Sequence, residues 1–188
     1  MRTFIAIELS EQIKNTLAQV QSHLRYAGAD VKWVSEENIH LTIKFLGEIT
    51  EEKCAKVSAV LDDTARQTKA FEFSLKDIGA FPKIEFPKVI WVGLDKGAKE
   101  SAELAARIDR SLSEMGFAVE TRPFTAHLTI GRVRSPKNKA VLKDKILSYR
   151  LQPATPNIIS SVILFKSVLT PHGPVYTKLH ESYFLPEN

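Results

Sequence analysis

One cysteine, Cys54, stands in a chain of 188 residues. A single thiol excludes an internal disulfide and any zinc centre built on cysteine pairs. Long apolar runs are missing too: none approaches the roughly 18 residues that a membrane-spanning helix needs. The apolar stretch at residues 3–7 is too short for a signal peptide, is followed by Glu8 and lacks a small-residue cleavage site, so a soluble cytoplasmic protein is expected. No G-x-x-x-x-G-K-[ST] loop occurs to cradle a nucleoside triphosphate, no G-x-S-x-G elbow to present a serine nucleophile, and no RRM-type aromatic motif. Acidic residues are slightly outnumbered, 22 against 26 Lys and Arg, giving a net charge of +4 and a pI near 9.1. That balance is compatible with a polyanionic partner without requiring one.

What the chain does have is an ordinary globular balance, 44% hydrophobic and 26% charged, and one tetrapeptide twice. His40-Leu41-Thr42-Ile43 returns as His127-Leu128-Thr129-Ile130, 87 residues later. The same offset carries residues 4–7 onto 91–94, Leu17-Ala18 onto Leu104-Ala105 and Pro87 onto Pro174. The order of elements repeats with it. Residues 2–9 alternate as a strand. Ser10 caps a helix with Ile13, Leu17, Val20 and Leu24 on one face and Gly28 at its stop. Strands at 31–34 and 38–47 follow, then a helix capped by Thr50, then a strand over 71–81. The second pass predicts a strand at 88–94, a helix with Leu104, Ile108, Leu112 and Met115 ending at Gly116, and strands at 117–124 and 126–133. A helix with Ser135 as N-cap and Pro136 at N1 runs on to about Leu147, and strands over 158–169 and 175–184 close the chain. The expected fold is therefore α+β: a β-α-β-β-α-β unit used twice, in one two-lobed domain over 1–188. The repeats fall at about 1–87 and 88–188, and mostly antiparallel sheets face a central cleft with helices outside.

Within a strand, side chains alternate faces, so His40 and Thr42 point one way while Leu41 and Ile43 point into a core. The second copy does the same. A tetrahedral phosphate fits against such a His-Thr pair, with the hydroxyl donating to a non-bridging oxygen and the imidazole reaching a bridging or attacking one. Two histidines suit displacement at phosphorus, one as base on the attacking oxygen and the other as acid on the leaving oxygen. Thr42, Thr129 and Arg132 are candidate phosphate ligands. On a regular strand Arg132 faces away from Thr129; a bend or bulge at Gly131 would return it. Lys44, Phe45 and His172 are weaker candidates for substrate contact. Phe45 reads more readily as packing, and His172 lies in the counterpart of the loop around Pro82 and Pro87.

A lone strand histidine is ordinarily packing; the duplication with matching threonines reverses that reading for His40 and His127. His23 and His180 read as structural and Cys54 as core. No carboxylate accompanies either motif histidine at metal-ligand spacing, so no metal and no cofactor is expected. The basic residues between Arg132 and Arg150 read either as a solvated helix face or as a contact for a longer nucleic acid.

With these motifs, the chain resembles the two-histidine phosphoesterase superfamily. Its segments "RTFIAIEL", "HLTIKFLG", "PKVIWVGL", "RPFTAHLTIGR" and "LFKSVL" look like the bacterial and archaeal RNA 2′,3′-cyclic phosphodiesterases, also called 2′-5′ RNA ligases. The resemblance spans nearly the whole chain and departs at no motif position. It implies hydrolysis of RNA 2′,3′-cyclic phosphate ends to 2′-phosphates, and ATP-independent 2′-5′ joining of tRNA halves. It also implies His40 as proton donor and His127 as proton acceptor. The partners it implies are RNA with cyclic phosphate ends and nucleotides entering the cleft of a monomer. A non-catalytic RNA- or nucleotide-binding module, and a phosphodiesterase of small cyclic nucleotides or 2′-5′ oligonucleotides, are the alternatives.

Overall fold

β-forming residues over Arg2–Ile7 make β1, which is buried on both faces: Phe4 and Ala6 belong to one apolar cluster, Ile5 and Ile7 to another. The structure, a computed structural model, describes residues 1–152, 157–171 and 173–186. After β1 come α1 (Glu11–Arg25), β2 (Val31–Trp33), a 3₁₀ turn (Glu36–Asn38), β3 (Leu41–Glu48), α2 (Glu51–Ala65), β4 (Phe71–Phe73) and β5 (Leu75–Phe81). The second half runs β6 (Val89–Leu94), α3 (Ala98–Ser113), β7 (His127–Val133), α4 (Lys139–Ser148), β8 (Asn157–Ile159), β9 (Ser161–Thr170) and β10 (Gly173–Tyr183). Adding 87 to the bounds of β1 gives those of β6. Adding it to α1 gives α3 to within one residue.

Two of the expected N-caps form. The Ser10 side chain accepts from the Ile13 N–H and Thr50 from that of Lys53, each satisfying a donor that the first helical turn leaves open. Three expectations need correction. Residues 117–124 form no strand: the Ala118 carbonyl and the Glu120 N–H are taken by side chains, Lys44 and Asp109, and Pro123 has no N–H to give a ladder. Ser135 and Pro136 do not start α4. They open a turn closed by Lys139 N–H on the Pro136 carbonyl; within it Asn138, at φ 54°, is the residue before the helix and donates its amide to Gly28 O. The strands expected over 71–81 and 158–169 are each broken at a serine, Ser74 and Ser160. The short pieces β4 and β8 leave to pair with one another.

The main sheet has the order β10-β9-β1-β3-β7-β6-β5, with β2 added on β7, and its named pairs are antiparallel. β6, the first strand of the second repeat, pairs with β5, the last strand of the first, and β1 pairs with β9, the last strand but one of the second. The two halves join edge to edge through one residue pair, Leu41 with Leu128.

Among the described residues, the four α-helices all cover one face. Ile13, Leu17, Val20, Leu24, Val57, Leu61, Leu104, Ile108, Leu112, Leu142 and Ile146 meet Ile5, Ile7, Leu41, Ile90, Val92, Leu128 and Ile130 in a single core. Each such side chain contributes about 1.5–3 kcal/mol by leaving water. The other face, free of helices among the described residues, carries a small aromatic cluster of Phe4, Phe165 and Tyr176.

Candidate active site

The junction of the two sheet halves assembles the site. Leu41 and Leu128 face each other and enter the core, at 1% and 0% exposure. Their neighbours His40, Thr42, His127 and Thr129 therefore turn to the helix-free face. Extending the antiparallel register from the leucine pair sets Thr42 across from His127 and His40 across from Thr129, about one strand spacing, ~4.8 Å, apart. On the outer edges Ala6 lies beside Thr42 and Gly93 beside His127, while Trp91 lies beside Thr129. Among the described residues neither threonine hydroxyl bonds to another group, which leaves both as donors to whatever enters.

Both imidazoles are held alike. His40 Nδ1 lies 2.8 Å from the Asn38 carbonyl, and His127 Nδ1 lies 2.7 Å from the Thr125 carbonyl. A carbonyl only accepts, so Nδ1 carries the hydrogen in each ring and Nε2 is the free position. A neutral ring thus offers Nε2 as a base; a protonated ring offers Nε2–H as an acid.

The surroundings differ. His40 lies in an aromatic corner, with Phe4 at 4.8 Å and Tyr176 at 5.3 Å between ring centroids. Burial there pushes its pKa below the ordinary imidazole value, partly opposed by the bond to the Asn38 carbonyl. His127 meets the edge of Phe81 at 5.0 Å and has Trp91 at 6.4 Å.

A bulge in each strand decides where the flanking residues go. Pairing skips Ile43 in β3 and Ile130 in β7, the residue after each threonine. The extra residue reverses the alternation beyond it. Arg132, which a regular strand would turn away, comes back to the site face, where its charge bears on Tyr176. Burial pushes the Tyr176 phenol above its usual range against the pull of Arg132 and Arg2. Phe45 likewise reaches the site face, 64% exposed and 6.1 Å from Phe4 between ring centroids. Lys44 is a correction: the same bulge turns it to the helix side, where it is 4% exposed and bonded to Asp109 at 2.6 Å, so it does not contact substrate. His172 lies outside the described residues.

The structural readings of two other histidines stand with their contacts. His23 packs beside Tyr149, and His180 meets Asp62 at 2.7 Å on the α2 side of β10. Burial pushes the Asp62 carboxyl up, but hydrogen bonds from Ser182 and His180 outweigh it and the net direction is down. The basic residues Lys139, Lys143 and Lys145 ride on α4, in the helix layer on the sheet's far face. A hollow between α3 and β4, lined by Lys99, Glu103, Arg107 and Arg110, contains none of the motif residues. Sequence patterning does not single out Phe4, Phe81, Trp91, Phe165 or Tyr176 as site residues. The offset that maps Phe4 onto Trp91 is the available signal, since both flank a motif histidine.

A continuous antiparallel sheet, with helices on one face and two matched His-Thr strands meeting on the other, has the form of a duplicated phosphoesterase. Comparisons with known proteins give the same class. The model for LigT like Phosphoesterase matches twice, over residues 7–91 and 92–176. An RNA 2′,3′-cyclic phosphodiesterase of Methanothermobacter thermautotrophicus is 35% identical over 179 residues, 95% of this chain and 96% of that one. One of Methanocaldococcus jannaschii is 39% identical over 181 residues, 96% of this chain and 99% of that one. The crystal structure of TT0787 of Thermus thermophilus superposes with a TM-score of 0.82 at 27% identity, over the full length of both chains. The chain belongs to the LigT-like phosphoesterase family.

Proposed function

We propose that the protein opens the 2′,3′-cyclic phosphate at RNA ends by two-histidine acid–base catalysis, leaving a 2′-phosphomonoester. The observation that carries this reading is the matched Nδ1–carbonyl bonding of His40 and His127, which leaves Nε2 of both rings for proton transfer at one point of the sheet. The names of the archaeal relatives supply the substrate class.

His127 Nε2 takes a proton from water as the water oxygen bonds to phosphorus. His40 Nε2–H gives its proton to the 3′-oxygen as the P–O3′ bond breaks, so the phosphate remains on the 2′-oxygen. The proton gained by His127 and that lost by His40 balance through solvent. Thr42, Thr129 and Arg132 donate to the non-bridging oxygens, where negative charge grows. Although burial favours neutral His40 in the free protein, the arriving phosphate anion draws its pKa upward and favours the protonated donor. A ribose 5′-hydroxyl in place of water gives a 2′-5′ linkage. The cyclic ester is already activated, so ATP is not required.

Replacing His40 or His127 by Ala should each lower turnover of an RNA 2′,3′-cyclic phosphate by at least about 10²-fold, the ordinary share of one proton transfer. EDTA should have no effect. Substantial activity in either variant would sink the assignment. One observation favours a second reading, a phosphodiesterase of small cyclic nucleotides or short 2′-5′ oligonucleotides. The α4 cations lie in the helix layer rather than on the site face, which weakens the argument for a long RNA.

A further inference from the structure

Lys44, the residue after the first motif, is left without a task by the chemistry above. Its ammonium is enclosed, with a side chain 3% exposed, and donates to Asp109 Oδ1 at 2.6 Å and to the Ala118 carbonyl at 2.8 Å. Glu120 Oε1 stands 3.6 Å away. Asp109, on α3, also accepts from the Glu120 N–H, at 3.3 Å to each carboxylate oxygen. Three parts of the chain thus meet at one ammonium: β3, α3 and the segment 118–120 that leads toward His127.

The repeat explains why a lysine is there. The 87-residue offset maps Lys44 onto Gly131, and Val31–Trp33 onto residues 118–120. At Gly131 there is no side chain, and a Cβ would come within 2.8 Å of Val31 Cγ1 and 3.0 Å of the Trp33 ring. The absence of a Cβ therefore lets β2 lie against β7 as a strand. At Lys44 a long side chain fills the equivalent space, and residues 118–120 stay off the sheet. Among the described residues, 118–126 make no backbone–backbone bond, and pairing with β6 begins only at His127. The polar attachments of the segment are the Lys44 and Asp109 contacts upstream and, at its end, the Thr125 carbonyl that holds His127 Nδ1. Phe124, between them, and Ala126, just beyond Thr125, pack against the core.

We infer that Lys44 is a positioning residue for His127: with Asp109 it anchors the segment 118–125, and through the Thr125 carbonyl it fixes the tautomer and direction of the second imidazole. It replaces, by charge, the strand pairing that β2 supplies in the other half. The kinetic consequence rests on the two-histidine reading; the structural one does not. Misplacement of a reacting group by about 1 Å can cost 10²-fold in rate, so loss of a remote anchor is readable in turnover.

The test uses Lys44→Met/Asp109→Leu, which removes both charges together and avoids stranding one in the interior. On an RNA 2′,3′-cyclic phosphate, kcat should fall by about tenfold or more with KM changed less than about twofold. In ¹⁵N imidazole spectra, His127 should lose its fixed Nδ1–H form while His40 keeps its own. Should the double variant lack a cooperative melting transition, Asp109→Asn, which removes the carboxylate but keeps an oxygen to accept from the Lys44 ammonium, is read by the same two measurements. A folded variant with unchanged His127 signals overturns the inference, whatever its kcat. If the wild type itself opens no cyclic phosphate, the hydrolase reading fails, and the imidazole spectra still decide whether Lys44 positions His127.

Discussion

At His40, two influences oppose each other: the aromatic corner of Phe4 and Tyr176 disfavours the imidazolium, while the Asn38 carbonyl favours it. The first is larger, so the free protein should hold His40 neutral at neutral pH, titrating below about 6.5. An anion bound beside it reverses the balance. A pKa higher in the complex than in the free protein means that anion affinity rises as pH falls through the interval between the two values. Imidazole NMR with and without inorganic phosphate checks this: His40 should move upward on binding, and an unmoved or downward-shifted His40 would remove phosphate from its vicinity. The histidines and threonines themselves were legible from the repeated tetrapeptide. Their aromatic neighbours were not, because Tyr176, Phe165 and Phe81 arrive from strands distant in sequence, and alternation says which face a residue takes but not which strand lies next to it.

Among the elements, β3 and β7 show what a single extra residue does. The bulges at Ile43 and Ile130 leave no mark in an alternating apolar pattern, yet they send Arg132 and Phe45 to the site face and Lys44 to the core. Gly131 pointed to the possibility for Arg132; nothing equivalent marked Lys44. The segment 117–124 misled for a related reason. Its composition is strand-like, but the backbone groups that a strand would spend on β3 are held by Lys44 and Asp109. Its counterpart β2 remains a strand only because Gly131 presents no side chain to Val31 and Trp33. Gly131→Ala should therefore cost about 1–3 kcal/mol by overpacking, measured by denaturant unfolding, and should raise hydrogen exchange of the β2–β7 amides first. A fully tolerated alanine would mean that β2 does not need that contact.

Over the whole molecule, the duplication legible in the 87-residue offset gives the order of elements but not their partners. β1 takes β9 and β6 takes β5, so each half of the sheet draws strands from both repeats, and the site forms where the halves meet at Leu41 and Leu128. Symmetry there is approximate. Phe45 after one motif matches Arg132 after the other, and an enclosed aromatic corner around His40 faces a Phe81–Trp91 edge at His127. A symmetric pair could protonate either ester oxygen; on the proposed mechanism the unequal halves orient the substrate and select one. That selection is the central claim, and the position of the product phosphate reads it directly. With an RNA bearing a 2′,3′-cyclic phosphate end, in EDTA, ³¹P NMR should show only the 2′-phosphomonoester. A 3′-phosphate product, an equal mixture, or no ring opening at all would contradict it.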